Sequence, residues 1–564
     1  MRTGRLLIIL VAIGAVAIAA IVSMGGSDEG GGGSGSGAAA TTAADDAVRV
    51  PFAYSPEKEQ LLEPLVRAFN EQGAEVGGRP VFVEAQVVSS GEAQDQIGKQ
   101  QLRPVVWSPA SSLWGRLLNF QADQEWAPDD NPSIVRTPLV IAMWEPLAKT
   151  LGWPEKQVGF DRILELATSE RGWAAFGRPE YGKFKLGHTN PDFSTSGLSA
   201  VAAEYYAATG KREGLTVEDV EKPSVRKQIR DIERSIVHYG DTTLFFAEQM
   251  KRYGPAYASA VAMEEVTLLD FNRDRGGQPK LVALYPREGT FDSDNPFIVL
   301  DAPWVTAEQK QGAAAFQAFL EERITPEVAA KAGFRPGDPD AKPIPPITTA
   351  NGVDPEQPAR TLSLPEPRVL ARIKSAWRED RKPANIQLVF DTSGSMGEEG
   401  KLEEAKRGLR TFFSQLSPRD RIGLIAFNDR VFPLVDLATF GRNQAEMRST
   451  VDGLLPEGQT AAYDAIGDGV GKIIALDDDT RINAVVALTD GEDNQSSSTV
   501  DQLVAALERQ TGQEGEAVRV YTIAYGRQAN KAALERIAQA SGGKAFTGDP
   551  KQIEAVYRSI SSFF

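Results

Sequence analysis

The sequence predicts an α/β protein, built as two successive units of largely parallel sheet covered by helices, with an apolar segment ahead of both. Three observations carry that reading. From Val48 onward, short apolar runs of strand character alternate with amphipathic stretches of helical spacing, the signature of a parallel sheet with helices on its faces. The alternation is broken by a proline-dense segment over residues 336–368 and restarts near 384. The chain has 564 residues, far more than one hydrophobic core organises, so at least two globular units are required.

Taken in order, the first element is Leu6 to Met24, 19 residues without a charge. At ~1.5 Å per residue it spans roughly 28 Å, close to the hydrocarbon thickness of a bilayer. Arg2 and Arg5 precede it, which places its N-terminal side in the cytoplasm and the rest of the chain outside. A single-pass anchor over residues 1–24 is therefore expected. Small residues at Ala15, Ala17, Ala19 and Ala20 leave a cleaved signal peptide, and hence secretion, as the alternative. Residues 25–46 are a Gly/Ser/Ala tract that cannot build a core and reads as a flexible tether.

The first unit occupies residues 47–338. Strands VRVPFAY, PVFVEAQVV and PVVWS alternate with helices EKEQLLEPLVRAFNEQ and GEAQDQIGKQQL, and the pattern continues through IVRTPLVIAMW and LVALYP. Its length is large for one sheet, so two lobes are expected, with hinge strands near Arg136 to Met143 and Leu281 to Tyr285. Residues 339–383 form a linker, extended and semi-rigid through its prolines, closing on a short helix RVLARIKSAWRED. The second unit, residues 384–564, alternates strands IQLVFD, RIGLIAFN, INAVVALTD and VRVYTIAYG with helices. In the first of these helices Leu402, Ala405, Leu409, Phe412 and Phe413 recur at helical spacing and mark a buried face.

Composition excludes several chemistries. There is no cysteine, which removes disulfides, thiolate metal sites and cysteine nucleophiles together. The two histidines, His188 and His238, are too few for a multi-histidine metal centre. A net charge of -16 repels phosphate backbones, so nucleic acid is not an expected partner. No GxSxG elbow or HExxH helix is present, and an enzyme is not expected. GDGVGK (467–472) has the wrong spacing for a phosphate loop and falls inside a predicted helix.

Ligands of open parallel sheets collect beyond the carboxyl ends of the strands. In the second unit three segments bring oxygen ligands to that edge: Asp391, Ser393 and Ser395 after strand IQLVF, Thr460 opening a helix, and Asp490 closing strand INAVVALT. Two carboxylates and three hydroxyls, without nitrogen or sulfur, suit Mg2+ or another hard divalent cation. Neutral hydroxyls leave the ion's charge only partly compensated, so a carboxylate from a protein partner would complete the shell. Singly, Ser393, Ser395 and Thr460 are better read as helix caps, and Asp391 and Asp490 as strand-end turn residues. All five in order on one edge are not. DTSGSM, GQTAAYDAI and ALTDGEDN resemble the three ligand segments of von Willebrand factor A domains, a Rossmann-like fold, across residues 384–564. The resemblance implies a metal-ion-dependent adhesion site at Asp391, Ser393, Ser395, Thr460 and Asp490. DTSGS is also similar to aspartate-nucleophile phosphatases, but these need a second aspartate where Ser393 stands.

In the first unit, IVRTPLVIAMW, NPDFSTSGL, VAMEE, YPREGTFDSDNPFIVLDAPW and GFRP resemble, in this order, bacterial extracellular solute-binding proteins with a two-lobed, periplasmic-binding-protein-like fold. Hydroxyl-rich turns lie where strands lead into helices: Ser55, Ser89, Ser90 and Ser108 in one half, and Thr189, Ser194, Thr195 and Ser196 in the other. Helix N-termini with hydroxyl donors favour an oxyanion or a small anionic solute. Glu264 and Glu265 would oppose an anion if they faced the cleft, and Trp107 and Trp114 could stack on a sugar, although tryptophan at helical spacing is more often core. The expected protein is thus a membrane-anchored extracytoplasmic binding protein that couples a solute module to a Mg2+-dependent protein-interaction module. The competing expectation is a surface adhesin whose first unit is a degenerate spacer.

Overall fold

The computed structural model describes residues 43–511 and 517–564, so the anchor and most of the tether lie outside the described residues. Among the described residues, no helix is long and apolar enough to cross a membrane. Residues 43–564 form one compact unit.

The first lobe is a sheet in which β1 (Val48–Tyr54) lies between β3 (Arg79–Val87) and β4 (Val106–Ser108), parallel to both, with the short β2 (Glu75–Val76) at the edge beside β3. Its elements follow from the sequence directly. In helix Glu59–Gln72 the residues Leu61, Leu62, Val66 and Phe69 fall on one face and are buried against the sheet. The helix stops at Gly73, whose φ of 67° is the left-handed conformation that glycine adopts without a steric cost.

The second lobe is organised on the ten-residue strand β5 (Val135–Trp144), followed by β6 (Leu186–Gly187), β7 (Ala260–Glu264), β8 (Leu281–Leu284) and β9 (Asp292–Ser293). β5 pairs antiparallel with β7, β8 and β9, and β6 adds to β7 in parallel. The chain then returns to the first lobe as β10 (Ile298–Val299), antiparallel to β4. It comes back to β5 as β11 (Arg335–Pro336).

The joint between the lobes lies where these passages run side by side. Ile134 donates from its amide to the Asn295 carbonyl at 3.0 Å, Phe297 to the Pro132 carbonyl at 2.9 Å, and β11 pairs with Val135 and Arg136. The hinge is therefore Pro132–Thr137 with Asp292–Phe297. Only the first two of the expected hinge residues Arg136 to Met143 take part. Leu281 to Tyr285 lies inside the second lobe, where β8 pairs with the far end of β5. The sequence reading fails there because β5 is one continuous apolar strand that serves both hinge and core.

The proline-dense segment is packed along its length. Ile347, Val353 and Leu362 are buried, and the amides of Ala283 and Leu362 bond to the Gly352 and Thr290 carbonyls at 2.8 Å each, so the segment lies along the second lobe as a strap. Helix Pro367–Asp380 follows and buries Val369, Leu370, Ile373 and Trp377.

The C-terminal domain is a six-stranded sheet of β12 (Ala384–Asp391), β13 (Arg421–Phe427), β14 (Val431–Thr439), β15 (Ile482–Thr489), β16 (Arg519–Tyr525) and β17 (Ala545–Gly548), in the order β14-β13-β12-β15-β16-β17. All neighbours are parallel except β13 and β14. Every residue of β12 and β15 is buried, as expected of central strands covered on both faces. Leu402, Ala405, Leu409, Phe412 and Phe413 form the buried face of helix Lys401–Gln415.

Candidate functional site

The central strands β12 and β15 end side by side, which brings Asp391 and Asp490 to one edge, both fully buried. Past Asp391 the chain turns at once. The Ser393 amide donates to Asp391 Oδ1 at 2.7 Å, and Thr489 Oγ1 donates to Asp391 Oδ2 at 2.6 Å. Ser393 Oγ lies 3.1 Å from Ser395 Oγ, and Ser395 Oγ donates to Asp490 Oδ1 at 2.7 Å. Thr460 arrives on a separate loop, held by Asn494, whose Oδ1 accepts from the Thr460 amide at 3.0 Å. A Cβ placed on Gly491 would stand 3.3 Å from Thr460 Oγ1 and 3.9 Å from Ser395 Oγ, so both hydroxyls lie against Gly491, next to Asp490. The five residues singled out in the sequence are thus brought together.

Their chemistry fits a hard divalent cation. Oxygens bound to Mg2+ at about 2.1 Å in an octahedron sit about 3 Å from one another, and the Ser393, Ser395 and Asp490 oxygens already have that spacing. Burial above all pushes the Asp391 carboxyl up to about 6, with Asp490 adding to the rise and the hydrogen bonds from Thr489 and Ser393 opposing it. Lys401 was not anticipated. It opens the helix after the loop, and its ammonium bonds Asp490 Oδ2 at 2.7 Å and the Ser395 carbonyl at 3.3 Å, fixing both. Among the described residues, no cluster of three or more Asp, Glu, His or Cys side chains has the form of a metal site, so hydroxyls must supply part of any cation shell.

A second site lies between the lobes. Its cavity is lined by Ser55, Ser89, Ser90, Ser194 and Thr195 of the sequence-derived set, and by Glu57, Asp241, Thr242, Thr243 and Glu264. Each lobe contributes the first residues of helices: Ser90–Gly98 from one, Thr195–Thr209 and Thr243–Tyr253 from the other. The remaining three candidates do not line the cavity. Ser108 is fully buried at the end of β4, and Thr189 and Ser196 bond each other at 2.9 Å behind Ser194. Glu57, Asp241, Thr242 and Thr243 were missed. The Asp-Thr-Thr run ahead of a helix was the available signal for the last three.

The lobes are closed on each other. The Gly91 amide donates to the Phe193 carbonyl at 2.8 Å, and Trp114 Nε1 donates to Thr195 Oγ1 at 2.8 Å, both across the cleft. Trp114 is thereby an interlobe clamp, and Trp107 is fully buried in the core, so neither stacks on a solute. Of the two glutamates, Glu265 turns away and is held by Arg335 at 2.8 and 2.7 Å, whereas Glu264 faces the cavity.

Linker helix and C-terminal domain sit across this joint. Lys374 Nζ stands 5.0 Å over the Trp114 ring of one lobe and 3.5 Å from Asp192 of the other, which Arg378 also grips at 2.7 and 2.8 Å. From the C-terminal domain, Lys544 pairs with Asp241 at the cavity wall, and Arg558 reaches Asp95 of the first lobe at 3.4 Å.

Two family models match the chain: bacterial extracellular solute-binding protein over residues 50–335, and von Willebrand factor type A domain over residues 385–556. Two uncharacterised proteins of Mycobacterium tuberculosis, from strains CDC 1551 / Oshkosh and H37Rv, are each 21% identical over 511 residues, covering 86% of this chain and 72% of theirs. The human calcium-activated chloride channel regulator 4 is 27% identical over 194 residues, 34% of this chain, and the match spans only 19% of that protein's length. Among solved structures, a periplasmic thiamin binding protein covers 59% of this chain and 96% of its own, at 11% identity and a TM-score of 0.41. A von Willebrand factor type A protein from Catenulispora acidiphila covers 32% of this chain and 42% of its own, at 21% identity and a TM-score of 0.28.

Proposed function

The chain belongs to the bacterial extracellular solute-binding protein family and carries a von Willebrand factor type A domain behind it, and from that premise we propose a two-module extracytoplasmic binding protein. In this reading, the cleft captures a small solute and the C-terminal domain binds a protein partner through Mg2+ at Asp391, Ser393, Ser395, Thr460 and Asp490. Residues 1–24 hold the assembly at the cell membrane, with 25–46 as tether, 47–338 as solute module, 339–383 as linker and 384–564 as adhesion module. The single observation that carries the proposal is the pair of oxygen-lined sites in one compact body.

Each residue of the metal site has a defined task. Ser393, Ser395 and Thr460 present neutral oxygens. Asp391 and Asp490 supply charge, and Lys401 and Thr489 hold the two carboxylates in place. When bound, the cation would supply a Lewis-acidic position for the partner's acidic side chain. No general base or nucleophile is needed in this scheme, in keeping with binding rather than turnover.

The spacer reading is disfavoured by the cleft's lining, in which hydroxyls and carboxylates outnumber the apolar residues Pro56, Ala110 and Leu244. A thermal-shift screen of small solutes on the full chain tests this, since a specific solute at 100 times its Kd stabilises by ~2.7 kcal/mol. A hit lost on substituting Ser90 and Ser194 supports the solute module. A screen without any hit contradicts it and favours the spacer.

A further inference from the structure

We propose that the cleft between the lobes takes a solute bearing a small positively charged head, a primary ammonium group, and not an anion. This deepens the solute-binding reading of the same cleft and rests on it.

Charge balance at the cavity is the first argument. Three carboxyl side chains line it, Glu57, Asp241 and Glu264, and no lysine or arginine does. The nearest ammonium groups are already engaged. Lys58, fully buried, bonds Ser55 Oγ at 2.5 Å, Asn295 Oδ1 at 2.9 Å, the Pro109 carbonyl at 3.2 Å and Glu57 Oε1 at 3.3 Å. Lys544 is paired with Asp241. Glu57 and Asp241 thus have ion-pair partners, whereas among the described residues Glu264 is in no ion pair and feels Lys58 only at longer range. It is 4% exposed and its side-chain contact is a 3.4 Å bond from Thr243 Oγ1.

Second, an anion would need free donors at the cavity wall. At the start of helix Ser90–Gly98 the Gly91 amide is directed to a protein acceptor, the Phe193 carbonyl across the cleft. Ala110 donates its amide to Ser90 Oγ at 3.1 Å, and Phe245 donates to the Thr242 hydroxyl at 3.2 Å. These three donors therefore serve closure and capping and are not available to an anion.

The third argument is the state of Glu264. Burial, and then the charge of Glu57, push its carboxyl up to about 8, with Thr243 and Lys58 pulling the other way. Near neutral pH it holds a proton, which occupies the place of a missing cation. An entering ammonium takes hydrogen-bonding positions on Glu264 and the surrounding hydroxyls, and the carboxyl proton leaves to solvent. The charge change at the site is then zero.

Size and lining narrow the class. The closed cavity is about 20 Å³, room for a group near the size of one water or one ammonium. A quaternary ammonium is disfavoured because no aromatic ring lines the wall to receive it. A divalent metal is disfavoured because Lys58 and Lys544 already neutralise Glu57 and Asp241, leaving one carboxyl to balance an added charge.

The test is isothermal titration of the full chain at pH 7 with methylamine and ethanolamine, against phosphate, sulfate and glucose. The proposal expects saturable binding of at least one amine and release of close to one proton per site, seen as heats that change with the ionisation enthalpy of the buffer. It also expects at least 10-fold weaker amine binding in E264Q. Proton release is measured on the unaltered chain, so the proposal stays testable if that variant folds poorly. Binding of phosphate, sulfate or glucose without binding of either amine would overturn the ammonium assignment and leave the solute-binding reading standing. Amine binding that E264Q retains at full strength overturns the assignment to this cavity. Absence of binding by every probe, together with an empty solute screen, overturns both.

Discussion

The two oxygen-rich sites of this chain differ in how they are assembled. The proposed metal loop of the C-terminal domain starts from two adjacent strands that end together, so its two carboxylates are placed by the register of β12 against β15 before any loop is added. The cleft is made by the first residues of helices on two separate lobes, and it exists only when a hinge is closed. One site is inherited from the sheet. The other depends on a conformational equilibrium. Their readout by mutation should differ accordingly.

The largest effect is expected where closure itself is blocked. A side chain at Gly91 would place its Cβ 2.2 Å from the Asp192 carbonyl oxygen across the cleft and 2.8 Å from the Trp114 ring, and backbone cannot yield locally to that contact. Gly91→Val should hold the lobes apart, raise the radius of gyration in small-angle scattering and weaken solute binding by roughly 100-fold, equivalent to about 2.7 kcal/mol. Mg2+ binding by the same variant should be unchanged. Loss of both together would mean the two sites are not separable in this way.

A smaller effect follows from Glu264. Its folded-state value of about 8 lies above the ordinary carboxylic range, so the folded chain keeps a proton that the unfolded chain has lost. The sign is that of a raised acid: stability is greatest below the unfolded value near 4.3 and is lost as pH rises toward 8. Glu264→Gln should therefore flatten the decline of the melting temperature between about pH 5 and 8. A variant with the same slope as the parent would show that Glu264 does not titrate there, and that Glu57 and Lys58 compensate each other differently.

The legibility of the two sites in the sequence follows the same division. DTSGSM, Thr460 and Asp490 were readable because strand ends and tight turns put each hydroxyl in a short, fixed frame. What escaped was Lys401, which acts from the start of the next helix and looks like any solvent-facing lysine of an amphipathic pattern. In the cleft, position along the chain was readable but direction was not. Ser108 stands at the right strand end, yet its side chain is packed inward, and Ser196 turns behind Ser194. Asp241 and Glu57 were missed because carboxylates were not expected in a pocket presumed to prefer anions. At the level of fold, the alternation of strands and helices located both units. The proline segment was read as an extended, semi-rigid connector, and its attachment was not legible, since the buried Ile347, Val353 and Leu362 that tie it to the second lobe are too sparse to register as a pattern.

The smallest effect is expected at the bridge from the C-terminal domain to the first lobe. Arg558 and Asp95 are 3.4 Å apart, with Asp95 substantially exposed, and such pairs contribute about 0–1 kcal/mol. Arg558→Ala should change the melting temperature by no more than a degree or two at physiological salt, because the linker helix still holds Trp114 and Asp192 together. A large loss would shift the control of lobe closure from the linker helix to the C-terminal domain.

The central claim is that the C-terminal domain holds one hard cation in an oxygen-only site. A calorimetric titration of Mg2+ into the full chain, beside Asp391→Ala and Thr460→Val, tests it most directly. The account predicts one Mg2+ bound per chain, with affinity lowered at least 10-fold by either substitution and a folded state preserved in both. Absence of Mg2+ binding by the parent chain, or undiminished binding by Asp391→Ala, would contradict it.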